Sequence, residues 1–380
     1  MRLTFKYRLY PNDNQIKRLE DTFNLCNNLY NCALQERISF YRTFEKSRTY
    51  NQQSNLLSEL KEDLPEYKSV YSQVLQSTLK RVDSAYRFFF KTKSGFPRFK
   101  PRDRFRSILY TQSGFSVKEK QDEYARLFLS KIGHIKMILH RRIVGEIKTC
   151  QIIKTSSGKW YVNLSCKNVP KEHLTKTNKS AGLDVGVKTY VTTSDGETIG
   201  NPKYLNKSKD KLKLAQQKFS KLNRKDSKRP AAKQHVARLH EKVKNQREDF
   251  QHKESKKLVE RYDQIFCEDL SIKGMKSWKV LNRAIGDCAW GNFVGKISYK
   301  AERAGKILIK VDPRNTSQMC SSCGSIVPKE LSTRIHKCKC GLVMDRDLNA
   351  AINIYNRGLT EVNPRESGIT FSEKSRSPDF

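Results

Sequence analysis

The stretch Gly182-Leu183-Asp184-Val185-Gly186 places a carboxylate in the middle of an apolar β-strand pattern. A second apolar strand, Gln264-Ile265-Phe266-Cys267-Glu268-Asp269-Leu270, carries Glu268 in the same way. Burying a carboxylate costs several kcal/mol unless the group meets a cation or several hydrogen-bond donors. The two strands therefore predict a sheet that holds buried acids, and these acids need a partner.

A third acid opens a predicted helix near the end of the chain. After Asp345 and Arg346, Asp347 begins a helix face that continues through Ala350, Ala351 and Ile354. Because alanine side chains are small, this helix can approach a sheet closely. Such an approach would bring Asp347 near the other two acids.

Three convergent carboxylates in a basic protein require divalent cations. Magnesium is the first choice, because it prefers hard oxygen ligands and keeps water molecules for chemistry. Two such ions about 4 Å apart stabilise the attacking and leaving oxygens of an in-line phosphoryl displacement, which is nuclease chemistry. Each acid alone has a plainer explanation, as a helix cap for Asp345 or Asp347 and as part of a strand-end turn for Asp184. The nuclease hypothesis rests on the three together.

The chain is strongly basic. Its 380 residues include 75 Lys and Arg against 39 Asp and Glu, a formal net charge of +36. A chain of this charge repels itself unless it binds an anion, and nucleic acid is the usual anion for a large soluble protein. The length allows two or three domains. No apolar run approaches the roughly 20 residues of a membrane span, and the charged N-terminus is unlike a signal peptide, so a cytoplasmic protein is expected.

Four of the ten cysteines form two close pairs, Cys320 with Cys323 and Cys338 with Cys340, each followed by glycine. Zinc takes four soft ligands in a tetrahedron, so the pairs predict one structural zinc site. The second pair has one intervening residue where two are usual, and His336 is an alternative ligand. A reducing compartment argues against disulfides. The other six cysteines are scattered singly and are expected to be reduced core residues.

Strand and helix patterns alternate along the first half of the chain. Residues 3–9 alternate apolar and polar side chains, which predicts a half-buried strand. Apolar spacings of three and four predict helices over about residues 12–92. Period-two alternation returns over residues 123–167 and predicts a meander or small barrel, which the first strand joins.

Basic and aromatic residues interleave in Phe96-Pro97-Arg98-Phe99-Lys100. Phosphate binds Lys or Arg while bases and sugars pack on rings, so this segment suits nucleic acid. A basic linker with two buried phenylalanines explains the same residues equally well. Both alternatives stay open at this point.

The second half contains a Lys-rich region at residues 205–262 that predicts an antiparallel helical hairpin with a basic outer face. Before it, Asp195-Gly196 suits a tight hairpin turn. The last twenty residues are rich in Ser, Arg, Glu and Pro, which is typical of disorder.

These stretches stand in an order that resembles the TnpB family of transposon-encoded, RNA-guided DNA endonucleases, which are related to compact type V CRISPR effectors. Residues 1 to about 358 share the resemblance. It rests on the two acidic strands, the cysteine pairs and the Phe96–Lys100 segment. Three further motifs add to it: Tyr7-Arg8-Leu9-Tyr10-Pro11, Asp312-Pro313-Arg314-Asn315-Thr316-Ser317 and Asp345-Arg346-Asp347-Leu348-Asn349-Ala350-Ala351-Ile352-Asn353-Ile354.

The resemblance implies a multidomain α+β fold. A β-barrel wedge domain with an inserted helical recognition domain would precede an RNase H-like (RuvC) α/β nuclease domain with an inserted zinc ribbon. The implied wedge domain consists of a strand at 1–11 and a barrel at 96–180, with the recognition domain between them at 12–95. The implied nuclease domain covers 181–358 and contains a basic helical insertion at 205–262 and the zinc ribbon at 315–343. A disordered tail would follow at 359–380.

The resemblance also implies the site residues and cofactors. Asp184, Glu268 and Asp347 would be the three catalytic acids and would bind two Mg²⁺ ions, while Asp345 would support Asp347 from outside the metal centre. The four paired cysteines would bind one structural Zn²⁺. The activity that the resemblance implies is that of an RNA-guided DNA endonuclease, which hydrolyses phosphodiester bonds by a two-metal, RuvC-type mechanism.

The implied partners are nucleic acids, with no membrane. One chain would hold one guide RNA from the transposon end and cut double-stranded DNA next to a short adjacent motif, inside a bacterial or archaeal cell and at the nucleoid. Gln73 and Gln76, with Arg98 and Lys100, are the expected nucleic-acid contacts. Two alternatives remain: a nuclease-silent, RNA-guided regulator of transposition or transcription, and a transposase proper that joins DNA strands.

Overall fold

The computed structural model describes residues 1–119, 124–270, 282–330 and 332–362. The chain divides into two compact units, Met1–Pro170 and Lys171–Phe380. In the described residues no helix is both long enough and apolar enough to cross a membrane.

The first unit contains an antiparallel sheet. Its strands in the described residues are β1 (Leu3–Tyr10), β2 (Ser107–Thr111), β3 (Phe115–Glu119), β4 (Tyr124–Leu129), β5 (Gly133–Ile138), β6 (Glu146–Lys154) and β7 (Trp160–Lys167). Their order across the sheet is β2-β6-β7-β1-β5-β4-β3. The N-terminal strand joins this sheet, in its middle, and buries Phe5, Tyr7 and Leu9 on one face, as the alternation of its residues predicted.

Helices of the first unit are α1 (Asp13–Phe44), α2 (Tyr50–Asn55), α3 (Leu57–Asp63) and α4 (Ser72–Thr92). Helix α1 begins at Asn12, whose side chain accepts from the N–H of Gln15 while Gln15 bonds back to the Asn12 backbone. It ends at Glu45, which adopts a left-handed backbone. Helices α1 and α4 pack together and bury an apolar stripe that includes Leu19 and Leu75.

The second unit is built on a mixed sheet. Its described strands are β8 (Ser180–Asp184), β9 (Thr189–Thr193), β10 (Thr198–Gly200), β11 (Gln264–Glu268) and β12 (Ile307–Val311), in the order β10-β9-β8-β11-β12. Strand β11 runs parallel to both of its neighbours, β8 and β12, whereas the β8–β9 and β9–β10 pairs are antiparallel. The β9–β10 turn contains Gly196 at φ 86, as its Asp-Gly pair predicted.

Helices surround this sheet, and a two-stranded ribbon lies between two of them in sequence. The described helices are α5 (Tyr204–Lys207), α6 (Lys209–Ser220), α7 (Arg229–Arg261), α8 (Asn282–Cys288), α9 (Trp290–Ala304) and α10 (Arg346–Val362); the ribbon pairs β13 (Ile335–Lys337) with β14 (Val343–Asp345). Residues 359–362, expected at the start of a disordered tail, are helical because α10 continues through them. The rest of that tail lies outside the described residues.

Helix α10 lies very close to the sheet. A Cβ added to Gly182 would lie 2.2 Å from the carbonyl oxygen of Ala351, and one added to Gly358 would lie 2.1 Å from the ring of Phe266. Glycine at both positions, with buried Ala350 and Ala351 on the helix, allows this approach. The close packing expected from the two alanines is therefore present, and it fixes the helix that carries Asp347.

Burial of the scattered cysteines follows the expectation with one exception. Cys26, Cys150, Cys166, Cys267 and Cys288 are buried free thiols. Cys32 is exposed, so its assignment to the core is wrong. It lies on the outer face of α1, one position from the buried stripe.

Candidate active site

Asp184 and Glu268 are the last residues of neighbouring strands. Strands β8 and β11 run parallel with Leu183 opposite Cys267, so the next residue of each strand brings both carboxylates to the same edge of the sheet. The carboxyl ends of parallel strands are where α/β sheets usually place their functional groups.

Asp347 reaches the same edge from the first turn of α10. Burial raises the pKa of the Asp184 carboxyl well above its usual range, and the negative charges of Glu268 and Asp347 raise that pKa further. The Arg346 guanidinium acts in the opposite direction. The charges of the two other predicted acids therefore act on Asp184, and the negative charge of Asp345 raises its pKa as well.

Glu268 is held by a hydroxyl group. Burial raises the pKa of its carboxyl, while a hydrogen bond from Thr316 and the positive charge of Arg357 lower it. The Thr316 Oγ1 donates to Glu268 Oε1 at 2.5 Å. This bond fixes the Oε1 oxygen of the carboxylate. Thr316 thus orients the acid.

Asp345 has a different role from its neighbour. Its Oδ1 accepts hydrogen bonds from the N–H groups of Asp347 at 2.8 Å and Leu348 at 3.2 Å, which is N-capping of α10. The cap that the sequence allowed for either aspartate is therefore made by Asp345. Asp347, inside the first turn, keeps its carboxylate for the cluster.

The four cysteines form a compact metal-type site. In the described part of the chain they are the one group of at least three potential ligands whose atoms all lie within 4.8 Å of one another. Sulfur-to-sulfur distances are 3.6 Å for Cys320 with Cys340 and 3.5 Å for Cys323 with Cys338. Tetrahedral Zn–S bonds of about 2.3 Å require about 3.8 Å between sulfurs, whereas a disulfide requires about 2.05 Å. The thiols fit zinc.

Glycine turns follow both cysteine pairs, with φ 75 at Gly324 and φ 94 at Gly341. His336, the alternative ligand, lies outside the cluster: it is fully buried, and its Nδ1 contacts the Nζ of Lys329. The single residue between Cys338 and Cys340 still lets both thiols reach the site.

Two asparagines of α10 bind the segment that leads into the first cysteine pair. Asn349 accepts from the N–H of Ser321 at 3.0 Å and donates to the carbonyl of Met319 at 2.8 Å. Asn353 donates to the carbonyls of Thr316 at 2.8 Å and Met319 at 2.7 Å. The zinc-type site and the acid cluster therefore share one buried hydrogen-bond network, which sequence reasoning missed. The one sign of this network in the sequence is the i, i+4 spacing of Asn349 and Asn353, which places both side chains on the same face of a helix.

The expected nucleic-acid contacts fall into different environments. The carbonyl oxygen of Gln73 accepts from Thr111 Oγ1 at 2.6 Å, and Gln76 is half-buried on the same helix. Arg98 is exposed. The Lys100 ammonium lies 4.1 Å from the centre of the Tyr30 ring, so this side chain makes a cation–π contact within the first unit.

Phe96 and Phe99 decide between the two explanations of their segment. Their exposed fractions are 46% and 50%, so the linker with two buried phenylalanines is the wrong description. Half-exposed rings beside cations are compatible with the nucleic-acid alternative.

Three family models match this chain. Residues 163–279 match the model described as "Probable transposase", residues 290–354 match "Cas12f1-like, TNB domain", and residues 1–46 match "Helix-turn-helix domain". In this structure residues 1–46 form strand β1 followed by the single helix α1.

Two curated relatives match this chain over nearly its full length, and a third matches more than half of it. A Streptomyces pristinaespiralis protein named "Putative RNA-guided DNA endonuclease" is 34% identical over 93% of this chain and 89% of its own. InsQ of Escherichia coli strain K12, with the same descriptive name, is 28% identical over 93% and 92%. The CRISPR-associated endodeoxyribonuclease Cas12f1 of Sulfoacidibacillus thermotolerans is 30% identical over 58% and 56%.

Solved structures share the fold at low sequence identity. Cas12f1, solved as a complex with single guide RNA and target DNA, superposes with a TM-score of 0.59 at 15% identity, over 90% of this chain and 82% of that one. The mini-RNA-guided endonuclease Cas_phi3 gives a TM-score of 0.53 at 9% identity, over 94% and 92%. Together with the family models and the near full-length relatives, this shows that the chain belongs to the TnpB family.

Proposed function

We propose that this chain is a magnesium-dependent, RNA-guided DNA endonuclease that cuts double-stranded DNA beside a short adjacent motif. One observation carries the proposal: Asp184, Glu268 and Asp347 come from two strands and a helix and form one coupled acidic cluster. In a chain of net charge +36, half-buried acids that repel one another are tolerable as metal ligands.

The names of the relatives support the substrate class. The two near full-length relatives are described as RNA-guided DNA endonucleases, and Cas12f1 was solved with single guide RNA and target DNA. The β10-β9-β8-β11-β12 order, antiparallel on one side and parallel on the other, supports the RNase H-like fold implied for the nuclease domain.

The residues fit magnesium by chemistry. All three offer the hard carboxylate oxygens that Mg²⁺ prefers. Asp184, Glu268 and Asp347 would hold the Mg²⁺ ions. Bound Mg²⁺ would supply Lewis-acid stabilisation of the scissile phosphate and lower the pKa of an attacking water.

The chain's own groups prepare this arrangement. The Thr316 hydroxyl orients Glu268, and the Asp345 cap begins α10 so that Asp347 lies at the sheet edge. Arg346 and Arg357 are the cations whose charges act on the cluster. They partly offset its negative charge and would also attract a DNA phosphate.

The test uses the full chain with its co-purified RNA and a target plasmid. Asp184→Asn, Glu268→Gln and Asp347→Asn should each lower cleavage more than about a hundredfold and keep guided DNA binding. Asp345→Asn is the matched control, because asparagine caps a helix as well as aspartate does, and it should cut normally. Cleavage that survives in a variant removes that acid from the site. Guided binding by an unaltered protein that never cuts would identify the nuclease-silent regulator instead, and strand-transfer products without guide RNA would identify a transposase proper.

The remaining expectations belong to the same proposal. The four cysteines would bind one structural Zn²⁺, the guide RNA would come from the transposon end with one chain per RNA, and the protein would act in the cytoplasm at the nucleoid. Sequencing the co-purified RNA tests the guide directly. A discrete transposon-end RNA is expected, and heterogeneous host RNA would contradict it.

A further inference from the structure

A large cavity lies in the first unit, within the helical region. It has a volume of about 900 Å³ and lies between the C-terminal halves of α1 and α4, with residues 45–51 and Phe96 completing its wall. This volume is in the range of small-ligand sites. None of its residues belongs to the acid cluster or to the cysteine site.

Aromatic rings form much of the wall. The rings are Tyr41, Tyr50, Tyr86, Phe89, Phe90 and Phe96. Tyr41 and Phe90 are 60% and 71% exposed, and Phe96 meets Tyr86 edge-on at 5.6 Å and Phe89 at 5.4 Å between ring centres. Rings held open to solvent in one cluster mark a binding surface.

Arginines supply the polar part of the wall. Arg37, Arg42, Arg48 and Arg87 line the cavity, against two acids, Glu45 and Asp83. Asp83 already pairs with Arg37 at 3.3 Å and with Arg87 at 2.8 Å. The cavity therefore favours an anionic or acceptor-rich ligand.

One of these arginines has an unused donor. Arg37 is only 7% exposed, and its guanidinium is fixed by Nε to Gln53 at 2.8 Å and Nη1 to Asp83 at 3.3 Å. Its Nη2 is buried and has no hydrogen-bond partner within the described ranges. Because protein atoms cover Nη2, no acceptor in the cavity reaches it, and the held guanidinium is a fixed part of the wall, 5.4 Å from the centre of the Tyr86 ring.

We infer that this cavity binds an unpaired base of the RNA that the protein carries. The base stacks among the aromatic rings, and the exposed arginines of the wall, Arg42 and Arg87, contact the base edge or the flanking phosphates. RNA is the occupant because proteins recognise it through splayed bases stacked on rings and guanidinium planes, whereas a DNA duplex keeps its bases stacked. The inference rests on the proposed function only for the presence of a bound RNA.

Photocrosslinking locates the occupant. Full-length protein, freed of nucleic acid and kept without divalent metal, is irradiated with an oligouridylate that carries one 5-iodouridine, and crosslinked peptides are identified by mass spectrometry. We expect crosslinks at Tyr41, Phe90 or Phe96. Crosslinks confined to other parts of the chain overturn the inference, as does an equal yield at these rings from a DNA duplex that carries 5-iododeoxyuridine, because the duplex keeps that base stacked.

Affinity provides the second readout. Tyr41→Leu with Phe90→Leu should weaken oligouridylate binding about tenfold without changing its salt dependence, because stacking is lost and no phosphate contact is. Phe88→Leu is the matched control, since Phe88 is 61% exposed on the same helix and lies outside the cavity wall. Equal loss in both variants, or none in the double variant, contradicts the inference. The experiment contains no target DNA, so failure of guided cleavage leaves its outcome unaffected.

Discussion

At the scale of single residues, Asp184 concentrates the chemistry of the site. Partial removal from water and the negative charges of Glu268, Asp347 and Asp345 raise the pKa of its carboxyl, so it is ionised less readily than a surface aspartate. A metal ion must therefore compete with protons for this group. The Asp184 carboxylate therefore destabilises the metal-free protein, whereas in the metal-bound protein it serves as a ligand.

The first prediction concerns pH. A carboxyl whose folded pKa is raised loses native-state stability as pH rises through the unfolded pKa, so Asp184→Asn should raise the melting temperature of the metal-free protein by several degrees near neutral pH. Because Mg²⁺ displaces protons from Asp184 and Glu268, its half-saturating concentration for cleavage should fall as pH increases from 6 to 8. Magnesium titrations of cleavage at each pH measure this. A half-saturation that does not move with pH would rule out raised pKa values at the site.

The second prediction concerns Thr316. Thr316→Val removes the hydroxyl that bonds Glu268 Oε1 and should lower cleavage about tenfold to a hundredfold, at unchanged zinc content. Thr316→Ser keeps the hydroxyl and should restore most of the activity. If the valine variant needs no more Mg²⁺ than the unaltered chain and cuts equally fast, Thr316 does not orient the acid.

Sequence reasoning found the three acids because each carboxylate interrupts an apolar strand or helix face. It missed Thr316 because its partner lies 48 residues away, and no local pattern signals that contact. It also left Asp345 and Asp347 interchangeable as helix caps, and only the hydrogen bonds from Asp347 and Leu348 to Asp345 separated them.

At the scale of elements, the approach of α10 to β8 and β11 builds the site. Gly182 touches the backbone of this helix and Gly358 touches the ring of Phe266, while Asn349 and Asn353 tie the same helix to the segment before the cysteines. One helix thus carries an acid, contacts the strands with the other two acids and braces the zinc-type site.

The third prediction tests this contact. Gly182→Ala places a Cβ 2.2 Å from a backbone oxygen that cannot move without shifting α10, and should destabilise the protein by about 1–3 kcal/mol and lower cleavage. Gly200→Ala in the same sheet is the control, because nothing lies within 4 Å of its added Cβ. Denaturant unfolding compares the two. Equal stability of the variants would contradict the close approach.

Period-two alternation predicted strand β1 and amphipathic patterns predicted the long helices, since burial of one face dictates those periods, while a continuous apolar run predicted β11. They could not predict that β1 lies between β5 and β7, or that β11 separates β8 from β12, because strand order depends on contacts between distant parts of the chain. The close approach of α10 to the sheet could be predicted from Ala350 and Ala351, but the contacts at Gly182 and Gly358 could not.

At the scale of the whole molecule, the net charge of +36 governs behaviour in solution. Like charges spread over the chain destabilise the compact state and promote binding to any polyanion. The carboxylates at the edge of the second unit's sheet form a local negative charge in this otherwise basic chain. A cation is the natural partner for that site.

The fourth prediction follows from this charge. Protein freed of RNA should unfold at a temperature several degrees below that of the RNA complex at low salt, and the difference should shrink as salt increases, because ions screen the repulsion and weaken RNA binding. Thermal unfolding at two salt concentrations checks it. RNA-free protein that is as soluble and as thermally stable at low salt as the complex would contradict it.

The most direct test of the central claim is to locate the metal. Full-length protein with its RNA and target DNA, prepared with Mn²⁺ in place of Mg²⁺, can be examined by anomalous diffraction. Two Mn²⁺ peaks about 4 Å apart are predicted beside Asp184, Glu268 and Asp347, and both should vanish in Asp184→Asn. Mn²⁺ bound elsewhere on the chain, with none at these three carboxylates, would contradict the account.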